Sequence, residues 1–285
     1  MFLRAQSIGR AAQPALAQPS VGRVLGVTSR GVFVLIEPRV IFLSSEHWRG
    51  PLTINVERPV DCALGEAVRL SATRLIFPAS EVDLSSAKVW QAPDASTARQ
   101  APDEQLRALR HLAREVLARP SREENGARLA HLLDLPEKQA LSAVEAARLA
   151  GLIQLRQSIR HADFDQATEL IAGLLGLGCG LTPSGDDVMI GWLLAVNRWR
   201  RDQPWRELNQ RVIDLAYQRT TTLSANLIEC AAHGEADERL INVVDGLVTG
   251  TPSSQECVDY VLGWGHSSGR AALVGMALCV DADRS

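Results

Sequence analysis

The feature that most restricts the fold of this 285-residue chain is a break in texture near residue 91. On its N-terminal side, residues 21–89 hold short runs rich in β-branched residues, set apart by turn formers. The runs at 23–27, 31–36, 40–43, 52–56, 67–70 and 73–77 have the length and composition of strands. Short strands at such close spacing predict a small barrel or sandwich.

Residues 91–103 are rich in Ala, Pro, Ser and Thr and read as a linker. Beyond them apolar residues recur three and four apart, as at Leu106, Leu109, Leu112 and Val116. Asp103 can cap a helix running to about 118, and Ser121 with Glu124 makes a capping box for a helix ending near Leu133. Further helices are expected over 136–160, 163–175, 185–198, 205–218, 221–233, 236–248, 253–262 and 267–280. The expected class is α+β. A β-barrel or sandwich-like domain over 1–92 and a linker over 93–103 precede a larger all-α domain over 104–285.

The chemistry concentrates in the helical part. Residues 176–187 read Gly-Leu-Gly-Cys-Gly-Leu-Thr-Pro-Ser-Gly-Asp-Asp and lead into an apolar run over 188–196. Thr182 or Ser184 as N-cap, Pro183 at a first helical position and Asp186 and Asp187 in the first turn fit an ordinary helix start. Capping leaves the alternate glycines Gly176, Gly178 and Gly180 and the paired carboxylates unexplained. Glycines before a helix let backbone N–H groups converge on an anion. Cys179 in this loop has no base beside it in sequence and fits a small filler.

A second cluster, Gly263-Trp264-Gly265-His266-Ser267-Ser268-Gly269, again sets glycines, hydroxyls and a titratable side chain before a helix. His266 is a candidate general acid or base, or a metal ligand, against the alternative of a solvated turn histidine. A third feature is the polar stripe of Thr222, Asn226, Glu229 and His233 along one helix face. For Glu229 and His233 a wet face is the simpler reading, whereas Thr222, Ser224 and Asn226 suit a pocket wall. Together these groups predict a site for a small anionic ligand. A phosphate or carboxylate would lie against the N–H groups, with Mg²⁺ held by Asp186 or Asp187. No Walker lysine follows the glycines, which disfavours a nucleotide P-loop.

Composition narrows the partners. The formal net charge is -3 and the basic residues are scattered, so nucleic acid is not expected. Cys62, Cys179, Cys230, Cys257 and Cys279 are odd in number and widely spaced, as in a protein with reduced thiols. Residues 1–18 carry Arg4 and Arg10 without an acid, but Gly9 and Pro14 interrupt them and no compact apolar region is present. With no run long enough to span a bilayer, the expectation is a cytoplasmic protein with no membrane partner.

The string Gly178-Cys179-Gly180-Leu181-Thr182-Pro183-Ser184-Gly185-Asp186-Asp187, followed by Gly265-His266-Ser267-Ser268-Gly269, resembles the paired signature of the AllH-like family. Gly22-Arg23-Val24-Leu25-Gly26-Val27 and Gly50-Pro51-Leu52 resemble that family's β-rich region. The resemblance implies a subunit of an oxamate carbamoyltransferase of allantoin catabolism, interconverting carbamoyl phosphate and oxamate with phosphate and oxalurate beside other, unrelated subunits.

On this reading the ligand-binding groups are Gly178, Gly180, Thr182, Ser184, Gly185, Thr222, Asn226, Gly265, Ser267, Ser268 and Gly269. Asp186, Asp187 and His266 carry the catalytic roles, and the first two the metal. Two alternatives stand beside it: a non-catalytic ligand-binding partner subunit, and a metal-dependent hydrolase of a small amide or N-glycosidic substrate.

Overall fold

The computed structural model describes residues 1–120, 125–136, 141–199 and 205–279. It forms two compact units, Met1–Pro93 with Glu235–Glu238, and Asp94–Gly234 with Arg239–Ser285.

The first unit contains β1 (Phe2–Gly9), a 3-10 turn (Arg10–Ala12), α1 (Gln13–Leu16), β2 (Ser20–Thr28), β3 (Gly31–Ile36), β4 (Arg39–Ser44) and β5 (Thr53–Val56). It continues with β6 (Ala67–Leu70), β7 (Arg74–Ile76), β8 (Glu81–Asp83) and β9 (Lys88–Trp90). The strands pair in the order β5-β4-β3-β2-β6-β7-β8-β1, and an antiparallel β1–β5 pairing joins the two ends. The result is a closed eight-stranded barrel rather than a sandwich.

Closure depends on β1, which pairs with β5 through Ile8 and Ile54, with β8 through Leu3 and Val82, and further along with β9 through Ile8 and Val89. The β texture therefore begins at Phe2, within a stretch for which no strand was expected. The reason is compositional: Leu3, Ala5 and Ile8 face the core, but Arg4, Gln6 and Ser7 dilute the signal. At the register shift in β1, the buried Asn55 accepts from the Ser7 hydroxyl at 2.7 Å. It also donates to the carbonyls of Glu46 at 2.9 Å and Trp48 at 2.8 Å, so its amide is well satisfied inside the barrel.

The second unit is helical: α2 (Pro102–Ala118), α3 (Asn125–Leu132), α4 (Ala143–Arg160), α5 (Phe164–Leu174), α6 (Ser184–Trp199), α7 (Arg206–Arg219), α8 (Thr222–Ala232), α9 (Glu238–Thr249), α10 (Ser254–Gly263) and α11 (Ser268–Ala277). Several starts follow the caps in the sequence. Asp163 accepts from the N–H of Gln166, Thr221 from Ser224, and Ser253 from Glu256. The helix expected from residue 136 begins instead at Ala143, because Ser142 and Glu145 form a capping box. Residues 137–140, the expected capping box of Ser121 and Glu124, and the expected helix end at Val280 lie outside the described residues.

Helix α6 is the centre of this unit. Its residues from Gly185 through Val196 are all buried, as expected for a helix apolar on every side. It packs backbone to backbone against α11. A Cβ on Gly191 would lie 2.0 Å from the Ala272 carbonyl oxygen, and one on Gly275 would lie 1.9 Å from that of Val188. Both glycines are there for close approach. The N-terminal ends of these two helices carry the two glycine-rich loops of the sequence.

Candidate anion site at two helix starts

The first loop leaves α5 at Leu174 and enters α6 at Ser184. Its ends are pinned together: the Leu177 carbonyl accepts from the Gly185 N–H at 2.9 Å and from the Ser184 hydroxyl at 3.3 Å. Asp186 is fully buried and holds the loop from inside. One of its carboxylate oxygens accepts from the Gly176 N–H at 2.8 Å, and the other accepts from the Thr220 hydroxyl. From the same α7–α8 junction, the Thr221 hydroxyl donates to the Leu181 carbonyl at 2.7 Å. Consecutive threonines thus hold the loop, Thr221 directly at Leu181 and Thr220 through Asp186, which in turn holds the Gly176 end.

The clasp leaves the loop's N–H groups available. Among the described residues, those from Gly178 to Thr182 meet no backbone or side-chain acceptor. Gly178 has φ +126° and Gly180 φ +97°, both in the region that favours glycine, and Gly180 faces open space. Exposed N–H groups in a glycine-kinked run ahead of a helix form an anion-binding concavity.

The second loop meets the first. The hydroxyls of Thr182 and Ser268 are 3.3 Å apart, and Ser268 opens α11. Gly265 has φ +67° and tucks against Ser268. Gly269 is required by packing, since a Cβ there would lie 1.8 Å from the Val261 carbonyl oxygen. Gly185 is likewise a packing glycine, 2.0 Å on the same measure from the Leu174 carbonyl oxygen. Ser267 is the N-cap of α11 and makes no side-chain capping bond. His266 is exposed, and no hydrogen bond fixes its ring among the described residues.

The stripe on α8 divides. Thr222 is exposed, while Ser224 and Asn226 are fully buried. Asn226 donates to the Tyr217 hydroxyl at 3.0 Å, and that hydroxyl donates to Glu229 at 2.5 Å. Thr220 and Tyr217 are not among the residues that the sequence singles out. The run of three threonines was the available signal for Thr220, but which of them faces the loop depends on how α7 meets α8.

Asp187 is also fully buried, in the first turn of α6. Asp186 already accepts an N–H and an O–H, and among the described residues no group of three or more His, Cys, Asp and Glu side chains could hold a metal ion. No helix among the described residues is long and apolar enough to cross a membrane.

Residues 174–280 match the family model described as oxamate carbamoyltransferase subunit AllH. This region of the chain is AllH-like. The AllH-like region begins at the end of α5 and takes in both loops and the α7–α8 junction, so the match rests on the helical unit and not on the barrel. No curated protein and no solved structure matches the chain.

Proposed function

We propose that the chain is a subunit of a carbamoyltransferase-like enzyme, working in the cytoplasm with other subunits on small anionic substrates: oxamate and carbamoyl phosphate on one side, oxalurate and phosphate on the other. The observation that carries this reading is the set of unclaimed N–H groups from Gly178 to Thr182, next to the Thr182–Ser268 contact and within the AllH-like region. The phosphoryl or carboxylate group sits against these donors. The hydroxyls of Thr182, Ser184, Ser267 and Ser268 line its rim, and Gly265 and Gly269 give α11 its close approach.

Carbamoyl transfer asks for two things: a carbonyl carbon held in line with the attacking nitrogen, and donors for the charge that develops on oxygen and on departing phosphate. Backbone N–H groups supply the second without reorganisation. In this scheme Asp186 is a positioning residue, because both its oxygens hold the loop, and Asp187 sustains the same helix start. His266, exposed at the second loop, is the group placed to move a proton or steady charge on the substrate.

The test is turnover of carbamoyl phosphate with oxamate by the complex reconstituted with its partner subunits. Asp186→Asn and His266→Ala should each lower it by about tenfold or more. Unchanged turnover in both variants rejects these roles. The unfixed His266 ring favours one second reading, a subunit that binds the anion while chemistry lies elsewhere. In that case the purified chain binds phosphate and His266→Ala leaves turnover intact.

A further inference from the structure

We infer that the chain carries a second small-molecule site, for a monocarboxylate with a short apolar or aromatic body, at the end of α8 remote from the glycine loops. A cavity of about 540 Å³ opens where the C-terminal ends of α6 and α8 meet the start of α7. Helix α8 has eleven residues, so it places this cavity about 16 Å from Thr221, which clasps the first loop. The AllH-like signature residues do not reach it.

Its walls are rigid and chemically biased. Asn197 and Asn209 form a paired floor: the Asn209 amide donates to the Asn197 side-chain oxygen at 2.7 Å and to the Ala232 carbonyl at 3.1 Å. Asn197 donates to the Leu193 carbonyl at 2.8 Å and, more weakly, back to Asn209 at 3.4 Å. Trp205 is 5% exposed and stands edge-on against Trp192, with centroids 6.2 Å apart, giving the cavity one fixed aromatic wall. These groups are held by their own bonds and need no ligand to order them.

Two lining side chains have unspent capacity. Among the described residues, Arg206 makes no hydrogen bond or ion pair and no carboxylate lines the cavity. His233 faces the Glu229 carbonyl through Nδ1 at 2.8 Å. A carbonyl only accepts, so Nδ1 bears the hydrogen, and Nε2 of the neutral ring is an acceptor that suits a hydroxyl or N–H on the ligand's body rather than its carboxylate. A guanidinium fork with no carboxylate partner among the described residues, beside an aromatic wall, recognises a carboxylate with an apolar body. This site is independent of the carbamoyltransferase reading.

The test uses the full chain and two isosteric probes, benzoate and its neutral analogue benzamide, followed by titration calorimetry at constant ionic strength. Benzoate should bind saturably and about tenfold or more tighter than benzamide, and Arg206→Ala should remove that preference. Thr182→Val and Asp186→Asn, which act at the loops, should leave benzoate binding unchanged. Arg206 is exposed, and an unaltered melting temperature verifies that its variant folds. The inference fails if benzoate does not saturate, if benzamide binds equally well, if Arg206→Ala keeps full affinity, or if the loop variants rather than Arg206→Ala abolish binding.

Discussion

The Thr182 and Ser268 hydroxyls stand 3.3 Å apart across 86 residues of chain, and their contact joins the two glycine-rich loops. The contact is partly buried, so losing it should cost stability little, on the order of 1 kcal/mol. Its larger effect should fall on the ligand, because it holds one N–H run beside the other helix start. Ser268→Ala is therefore expected to lower phosphate affinity more than it lowers the midpoint of urea unfolding. A variant with full affinity and a markedly lower midpoint would assign the pair to stability alone.

Asp186 clasps the first loop through both carboxylate oxygens while itself fully buried. Asp186→Ala strands the Gly176 N–H and the Thr220 hydroxyl and should destabilise the fold by roughly 2–4 kcal/mol. Asp186→Asn should cost less than half of that, since an amide can still accept from the N–H and donate to the threonine oxygen. Urea unfolding of the two variants measures the difference. Equal losses would show that charge, not hydrogen-bond count, holds the loop.

Glycines in this chain are needed for different reasons, and alanine substitution should separate them by sign. Gly191→Ala drives a methyl into the Ala272 carbonyl oxygen between α6 and α11 and should cost about 3 kcal/mol or prevent folding. Gly151 lies within α4 with nothing within 4 Å of an added Cβ. Gly151→Ala should stabilise by about 0.5–1 kcal/mol, because the glycine leaves the unfolded chain more freedom than alanine does. Denaturant midpoints of the pair settle both signs.

The strand run at 31–36 and the helix starts near 163, 221 and 253 were legible because local chemistry and final structure agree there, whereas the expected cap Asp103 lies inside α2, whose N-cap is Ala101. Strand β1 was not legible. Its inward residues include the small Ala5, and its partners β5, β8 and β9 are 46 to 81 residues away in register, with Ile8 opposite Ile54 and Ile8 also opposite Val89. At the site, the glycine and hydroxyl clusters announced themselves through residue type. The clasp by Thr220 and Thr221 did not, since it exists only once the α7–α8 turn is laid against the first loop. Gly185 and Gly269 show the converse: residues that read as ligand contacts sit against neighbouring carbonyls.

The capping box at the start of α10 predicts a local acid sensitivity. The Ser253 hydroxyl, and after it the Ser253 N–H, donate to Glu256 and hold its carboxyl below the usual glutamate range. A carboxyl with a depressed folded-state pKa stabilises above its unfolded value, and the benefit is lost as pH falls through the folded one. The first turn of α10 should lose hydrogen-exchange protection on acidification to about pH 3, and Glu256→Gln should flatten that dependence. Protection that is unaltered by pH in the native chain would refute it.

The cysteines should react in an order set by burial. Burial pushes the Cys257 thiol up to about 12, against an ordinary value of 9.0, whereas Cys179 is exposed in the first loop. Because the folded-state value is raised, burying the neutral thiol stabilises fully below the unfolded value, and the benefit fades only as pH climbs toward about 12. At pH 8 Cys257 is therefore held as the neutral thiol, and the thiolate is the form that attacks an alkylating reagent. Native-state iodoacetamide labelling followed by mass spectrometry should therefore modify Cys179 first, with Cys62, partly buried and also raised, well behind. Cys230, Cys257 and Cys279 should label only on unfolding. If phosphate occupies the first loop, it should slow Cys179 labelling without altering the others, which makes the exposed thiol a reporter for the site. Labelling of Cys257 at the rate of Cys179 would contradict the packing of α10.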